Sequence, residues 1–493
     1  MESKMESNTE VNEGFADETV EEIILLEESK KAKSFQMCPP TGVINRVITY
    51  AVILLVFWLV IWSYTGKEVY PNGSLFGMLV IFHVALFGGQ ILRLIKIPFV
   101  PPLPPLLGML LAGFVLRNTP GLRDYIHVNR AWSSYLRSTA LTIILVRAGL
   151  GLDPQALKKL KGVCLRLSMG PCCFEASAAA VFSHLILKFP WQWGFLLGFV
   201  LGAVSPAVVV PSVLMLQEQG YGVKKGVPTL MIAASSFDDI LAITGFNTFL
   251  GITFSSGPVY KSVLWGILEA GIGVVTGIIM GIFVRFFPSS DQSTCHWKRA
   301  FLILGIAIVA VIGSGRIGLH GAGGLTTIVM TFISAMGWSN DKVRVQSIVA
   351  GTWKIFQPLL FGLVGAEVSV GNLESNTIGY CVCIVMLSVI VRLLVTFLLL
   401  SYAGFTIKEK VFISVAWLPK ATVQAVLGPL ALETSIAKNL PEAEGYAKNV
   451  MTMAFLAILI TAPNGALLIG LLGPKALELD KPDENREMPT FSH

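Results

Sequence analysis

The sequence predicts an all-α polytopic membrane protein of about fourteen transmembrane helices, arranged as two inverted repeats with two interrupted helices. Three observations predict it. The 493 residues are 54% apolar and 14% charged, against about 25% charged in soluble domains. The apolar residues gather in runs of about 20, the length that crosses a hydrocarbon core. Related motifs recur seven runs apart, an odd interval that turns the second copy upside down.

The runs fall at 46–64, 74–92, 104–116, 137–152, 163–189, 191–216, 228–253, 260–287, 299–318, 322–337, 345–370, 376–402, 409–433 and 447–472. The third, in "PFVPPLPPLLGMLLAGF", is short and proline-rich and reads as broken or tilted. Residues 1–45 are acidic and polar, with neither a signal-peptide pattern nor the basic composition of a presequence, and read as a cytoplasmic tail. Residues 473–493 read as a second tail on the same side, because the number of runs is even.

Basic stretches at 154–162, 221–226, 296–300 and 406–410 fall between runs on the N-terminal side. The positive-inside rule makes that side cytoplasmic. The stretch 117–137, with Arg117, Arg123, Arg130 and Arg137, is basic on the opposite side and departs from the rule. The net charge of +6 follows from the cytoplasmic stretches and gives no reason to expect a nucleic-acid partner. The seven cysteines lie mainly in or beside the runs, and Cys172-Cys173 and Cys381-x-Cys383 lack companions at metal-ligand spacing, so they read as small core residues. The stretch "GSGRIG" at 313–318 fits a dinucleotide fingerprint in letters only, since it ends a membrane run and follows no strand.

The repeat is read from "ILVRAGLGLDPQAL" (144–157) and "LFGLVGAEVSVGNL" (360–373), aligned on Gly149 and Gly365. Glu175 lies 26 residues past the first glycine and Arg392 lies 27 past the second. Pro206 and Pro419 lie 57 and 54 residues past them. The parse is an extra N-terminal helix (46–64), a first six-helix repeat (74–253), a linker helix (260–287) and an inverted second repeat (299–472). Pro206 and Pro419 interrupt matching runs, and unwound backbone at membrane depth is tolerated only where protein or a wet cavity satisfies it.

Ionisable residues cluster at one depth. The runs centred near 176, 204, 240, 389 and 421 place Glu175, the break at Ser205-Pro206, Asp238 with Asp239, Arg392 and Lys420 near the midplane. Each buried charge costs about 2.5–3.5 kcal/mol on insertion scales, so such residues pair internally and mark ion or proton paths. Successive helix residues point about 100° apart, so adjacent Asp238 and Asp239 cannot both face one cavity squarely. Ser235, four residues before Asp239, shares its face. With unwound carbonyls at Ala203 and Val204, these side chains offer a hard oxygen set for a small cation. Buried neighbouring carboxylates take up protons readily, and a metal cation competes for the same oxygens. Exchange then arises at the site itself.

Arg392 stays charged and is expected to pair with Glu175 or with Asp238, while Lys420 is placed to offset a helix C-terminal end or to join the coupling. Arg147, Lys354, Glu269 and Glu367 also lie in or near the runs, the last two without a partner evident in sequence.

At "SSFDDILAITGF", "LGAVSPAVVVPS", "GPCCFEAS", "VIVRLL" and "AWLPKATVQA" the chain resembles the cation:proton antiporter superfamily, in particular the animal branch called the sodium/hydrogen exchanger 9B group. The stretches "EASAAAVFSHLILKFPWQW" and "AVLGPLALET" look more like its sperm-associated isoform than its widely expressed one, which points to a plasma membrane, that of the sperm flagellum included. The resemblance covers nearly all of the chain between the tails. It implies an NhaA-like fold, a homodimer among membrane lipids and elevator-type alternating access. It implies sodium (or lithium)/proton antiport without a cofactor or an enzymatic step, with potassium/proton exchange or an ion-sensing subunit as the alternatives. The family's carboxylate pair falls on Asp238 and Asp239, with Asp239 the principal sodium ligand. Many bacterial relatives carry lysine where this chain has Arg392, so the resemblance does not carry their electrogenic stoichiometry over to it; a Glu175–Arg392 pairing matches the animal branch instead.

Overall fold

Long apolar runs without water must satisfy their own backbone groups, and they do so as helices. The computed structural model of the chain describes residues 42–95, 103–152, 154–254, 259–289, 291–319, 321–338, 341–369 and 375–479. The expected N-terminal tail up to residue 41, the proline-rich approach to the third run at 96–102 and the C-terminal tail beyond 479 lie outside these.

The chain divides into two units, the first ending at Tyr70. In the first, helix α1 (Val43–Thr65) runs into a 3-10 turn at Gly66–Val69, and the Trp62 indole donates to the Tyr70 hydroxyl at 3.0 Å. The second unit holds α2 (Ser74–Leu94), α3 (Pro105–Asn118), α4 (Arg130–Gly151), α5 (Pro154–Leu187), α6 (Trp191–Gly202), α7 (Pro206–Glu218) and α8 (Val227–Phe254). It continues with α9 (Val259–Phe286), α10 (Cys295–Arg316, with a π-helical stretch at Val309–Gly313), α11 (Ala322–Ala335) and α12 (Asp341–Glu367). Helices α13 (Ser375–Leu399), α14 (Ile407–Ala416), α15 (Thr422–Ala437) and α16 (Pro441–Ala476) complete it.

Ten helical stretches among the described residues are long and apolar enough to cross a membrane, counting α6 with α7 as one, and α3 and α11 are shorter apolar helices. Helix α4 falls short on hydropathy because Arg130, Arg137 and Arg147 lie along it. Several expected boundaries move. Arg130 and Arg137, read as part of a loop, belong to α4; residues 154–162 and 296–300, read as basic loops, are first turns of α5 and α10. A polar helical turn that extends past the hydrocarbon looks like a loop in a hydropathy reading, because composition changes before hydrogen bonding does.

Helices α5 to α8 and α13 to α16 pack among themselves: α5 lies against α6, α8 and α13, and α16 against α7, α14 and α15. Helices α2, α3, α4 and α12 form a second packed group, with α9 against α11 and α11 against α4. Small residues permit the closest crossings, as expected where lipid and side chain are equally apolar. A Cβ on Gly365 of α12 would fall on the Leu110 carbonyl of α3, and one on Gly149 of α4 would fall on the Thr331 hydroxyl of α11. The two glycines that align the sequence repeat are thus both contact points between helices.

Candidate functional site

Two helices break where the prolines predicted. Pro206 cannot donate a backbone hydrogen bond and sits at the first position of α7, so the chain between α6 and α7 is non-helical from Ala203 to Ser205, with Ala203 and Ser205 extended. Between α14 and α15 the chain is non-helical from Leu418 to Ala421, around Pro419. The two breaks satisfy each other. The Ser205 N–H donates to the Pro419 carbonyl at 2.8 Å, and the Ser205 and Thr422 hydroxyls lie 3.3 Å apart. The Lys420 N–H donates to the Thr461 hydroxyl on α16 at 2.9 Å.

A helix end leaves its last carbonyls without partners. At the end of α6 four consecutive ones are filled by side chains from the other half of the chain. Gln424 Nε2 donates to Val200 O at 3.0 Å and to Ala203 O at 2.9 Å. Lys420 Nζ donates to Leu201 O, and Arg392 Nη1 to Gly202 O. Arg392 Nε also reaches Trp417 O, at the end of α14, at 2.9 Å. Both cations thus sit at helix C-terminal ends, where backbone partial charge is negative.

The same cations hold the carboxylates. Glu175 on α5 receives Arg392 Nη1 at 2.5 Å and Lys420 Nζ at 2.7 and 2.8 Å from its two oxygens. Asp238 Oδ2 accepts from Arg392 Nη2 at 3.0 Å and from the Val204 N–H at 2.6 Å. The two expected partners of Arg392 are therefore held at once by its planar fork. Lys420 joins charge pairing to helix-end compensation. All five ionisable side chains are buried, with 1% exposure at most.

Asp239 is the exception within this set. Both of its oxygens are buried and neither has a hydrogen-bond partner among the described residues; Asp238 Oδ1 is in the same condition. Adjacency on the helix separates the roles: Asp238 turns to Arg392 and the break, while Asp239 points elsewhere. Ser235, on the Asp239 face, donates to Ile232 O at 3.0 Å and keeps oxygen lone pairs. The expected backbone ligands fare differently. The Ala203 carbonyl is taken by Gln424, and Val204 contributes its N–H to Asp238. Gln424 was not singled out in the sequence; its signal was a long polar residue two positions past the start of α15, in the otherwise apolar or small stretch 422–432.

Charges that lacked partners in sequence find them away from this set. Glu367 accepts from Arg137 Nη1 and from Ser133 Oγ at 3.1 Å, and Arg137 Nη2 also pairs with Glu433 of α15. A pocket of about 340 Å³ opens beside them, lined in part by Arg117, Arg123, His127 and Arg130. Glu269 accepts from the Gly321 N–H at 2.6 Å, and Arg147 lies over the Trp353 ring at 5.7 Å. Cys172 and Cys381 are buried, whereas Cys173 and Cys383 are exposed on the helix surface, which corrects the reading of all four as core residues.

Residues 79–472 match the family model described as "Sodium/hydrogen exchanger, transmembrane". The chain is 62% identical over 447 residues to "Sodium/hydrogen exchanger 9B1" of Macaca fascicularis, covering 91% of this chain and 87% of the relative. It is 58% identical over 449 residues to "Sodium/hydrogen exchanger 9B2" of Pongo abelii, covering 91% and 84%. The solved sodium proton antiporter MjNhaP1 of Methanocaldococcus jannaschii aligns with a TM-score of 0.65 at 20% identity, over 82% of this chain and 99% of its own.

Proposed function

The chain belongs to the sodium/hydrogen exchanger family, in its 9B group, and from that premise we propose that it exchanges sodium or lithium for protons at Asp239. The observation that carries the reading is the pair of buried, partnerless Asp239 oxygens beside an Asp238 held by a cation and a backbone N–H. A desolvated carboxylate without a donor is costly unless a proton or a cation joins it. Either ligand satisfies it and each excludes the other. Asp238 Oδ1 and the Ser235 hydroxyl supply further oxygens, with water completing the shell. Glu175, Arg392 and Lys420 stay paired throughout and hold the two breaks in register.

Fourteen crossings, inverted repeats of 74–253 and 299–472, an elevator movement of α5–α8 with α13–α16 against the remaining helices, a homodimer and cytoplasmic termini in a plasma membrane belong to the same reading. The grouping of helix contacts and the paired breaks support it.

The test is a sodium titration in proteoliposomes at several pH values, with internal and external pH clamped equal. Competition at Asp239 predicts that lowering pH raises the apparent Michaelis constant for sodium and changes the maximal rate less. A constant sodium affinity with a collapsing maximal rate rejects shared occupancy and favours a separate sensor. Potassium driving protons as well as sodium does would reassign the cation.

A further inference from the structure

The break in α6–α7 presents carbonyls at the depth of the carboxylates, yet the four at the end of α6 are not available to a cation. Gln424 alone closes two of them, spending both amide hydrogens on Val200 O and Ala203 O. Its own Oε1 is buried and accepts nothing among the described residues, and the side chain has no exposed surface. Arg392 and Lys420 close Gly202 O and Leu201 O, but each is fixed by a carboxylate and has charge to balance. Gln424 is neutral and pairs with no acid among the described residues. Nothing in its bonding calls for an amide except the two carbonyls it holds.

Which oxygens reach the cation decides which cation fits. Carboxylates are compact, charged ligands that reward a small ion with short bonds. Neutral carbonyls in larger number suit a larger ion that sheds water more easily. We propose that Gln424 is a positioning residue that sets cation preference by withholding the Val200 and Ala203 carbonyls, leaving coordination to Asp239, Asp238 and Ser235. The inference rests on the proposed exchange at Asp239. It adds that the site discriminates against potassium because one neutral side chain keeps backbone oxygens occupied.

Gln424→Met keeps the side-chain volume and removes both donors. Purified protein in proteoliposomes is assayed with lithium, sodium and potassium chloride, and half-saturation is read for each. The ratio of potassium to lithium half-saturation is expected to fall by at least about fivefold in the variant, the low end of what one buried polar group gained or lost is worth. A merely structural role predicts a lower maximal rate with the ratio unchanged, and that result overturns the proposal. Cation-dependent thermal stabilisation in detergent, which needs no transport, is read alongside: potassium is expected to protect the variant more than the parent, and equal protection overturns the proposal too. Where the Met variant does not fold, Gln424→Asn, one methylene too short to span both carbonyls, is expected to shift the ratio in the same direction; a parental ratio there counts against it. A parent protein that moves no protons with any cation rejects the exchange reading, while the thermal measurement still decides the role of Gln424.

Discussion

Two buried clusters of charge can be set side by side. At the level of the breaks, Glu175, Asp238 and Asp239 face Arg392 and Lys420; near the end of α12, Glu367 and Glu433 face Arg137. Formal charges sum to −1 in each. In the second cluster both acids reach the arginine, and they keep 28% and 21% of their side-chain surface beside a pocket. In the first the excess charge is concentrated on one carboxylate that has no hydrogen-bond partner among the described residues, with 1% exposure. The difference separates two arrangements: in one every acid reaches a cation and joins helices, and in the other one acid reaches none, as the proposed ion site requires.

The largest effect expected from this contrast is that of Asp239→Asn. It removes the group for which proton and cation are proposed to compete and leaves the pairing of Glu175, Asp238, Arg392 and Lys420 intact. Cation-driven proton movement is expected to vanish while the melting temperature holds or rises, since a buried charge is removed. Near-parental exchange by this variant would falsify the assignment of the site.

Next in size is the pairing itself. Removing one member of a buried ion pair costs about 3–5 kcal/mol, because its partner stays charged and dry. Glu175→Gln leaves Lys420 without a carboxylate and Arg392 with Asp238 alone, while Arg392→Gln leaves Asp238 without a cation, Glu175 with Lys420 alone, and two carbonyls without their donor. Each is expected to lower thermal stability, with partial recovery in the double variant and clear non-additivity. Strict additivity would show that Lys420 and Asp238, not the Glu175–Arg392 contact, carry the coupling.

The second cluster is expected to behave as a brace. Glu433→Gln breaks one charged contact at a partly open position, worth about 1–3 kcal/mol. Stability is expected to fall by that order, with the sodium half-saturation within about twofold of the parent. A variant of unchanged stability whose sodium affinity shifts tenfold would erase the distinction between the clusters.

The smallest effect lies in the turn between α7 and α8. Lys225 meets Glu409 at 2.9 Å and Glu478 at 3.4 Å, and the Gly222 N–H holds the Glu478 carbonyl at 2.9 Å. The hydrogen bond that Lys225 donates to Glu409 raises the ammonium above its ordinary value of 10.5. A raised amine contributes stability fully below that unfolded value and loses it as pH rises through the folded one. Lys225→Gln is therefore expected to lower the melting temperature by a few degrees at most, equally at pH 6 and pH 9, and to converge with the parent above 10.5. A gap that closes between pH 6 and 9 would assign the effect to another group.

Much of the site was legible in the sequence for a simple reason. Charge inside an apolar run is expensive, so Glu175, Asp238, Asp239, Arg392 and Lys420 stand out wherever they occur. Proline removes a donor irrespective of its neighbours, so Pro206 and Pro419 mark the breaks. Partnership is another matter. An aspartate has the same letter whether a cation and a backbone N–H hold it, as at Asp238, or no hydrogen-bond partner among the described residues does, as at Asp239. Glu367 and Arg137 are 230 residues apart and read as an unpartnered acid and a loop base until α4 and α12 pack.

Local chemistry thus determined the membrane class, the depth of the charges and the places where helices stop, because each depends on a residue and its near neighbours along the chain. Only the tertiary structure decided which oxygens are spent. The Ala203 carbonyl, expected to face the cation, is held by Gln424 from 221 residues away. A hydrogen bond depends on distance and direction between atoms that the chain brings together only after folding, and no spacing along the sequence encodes it.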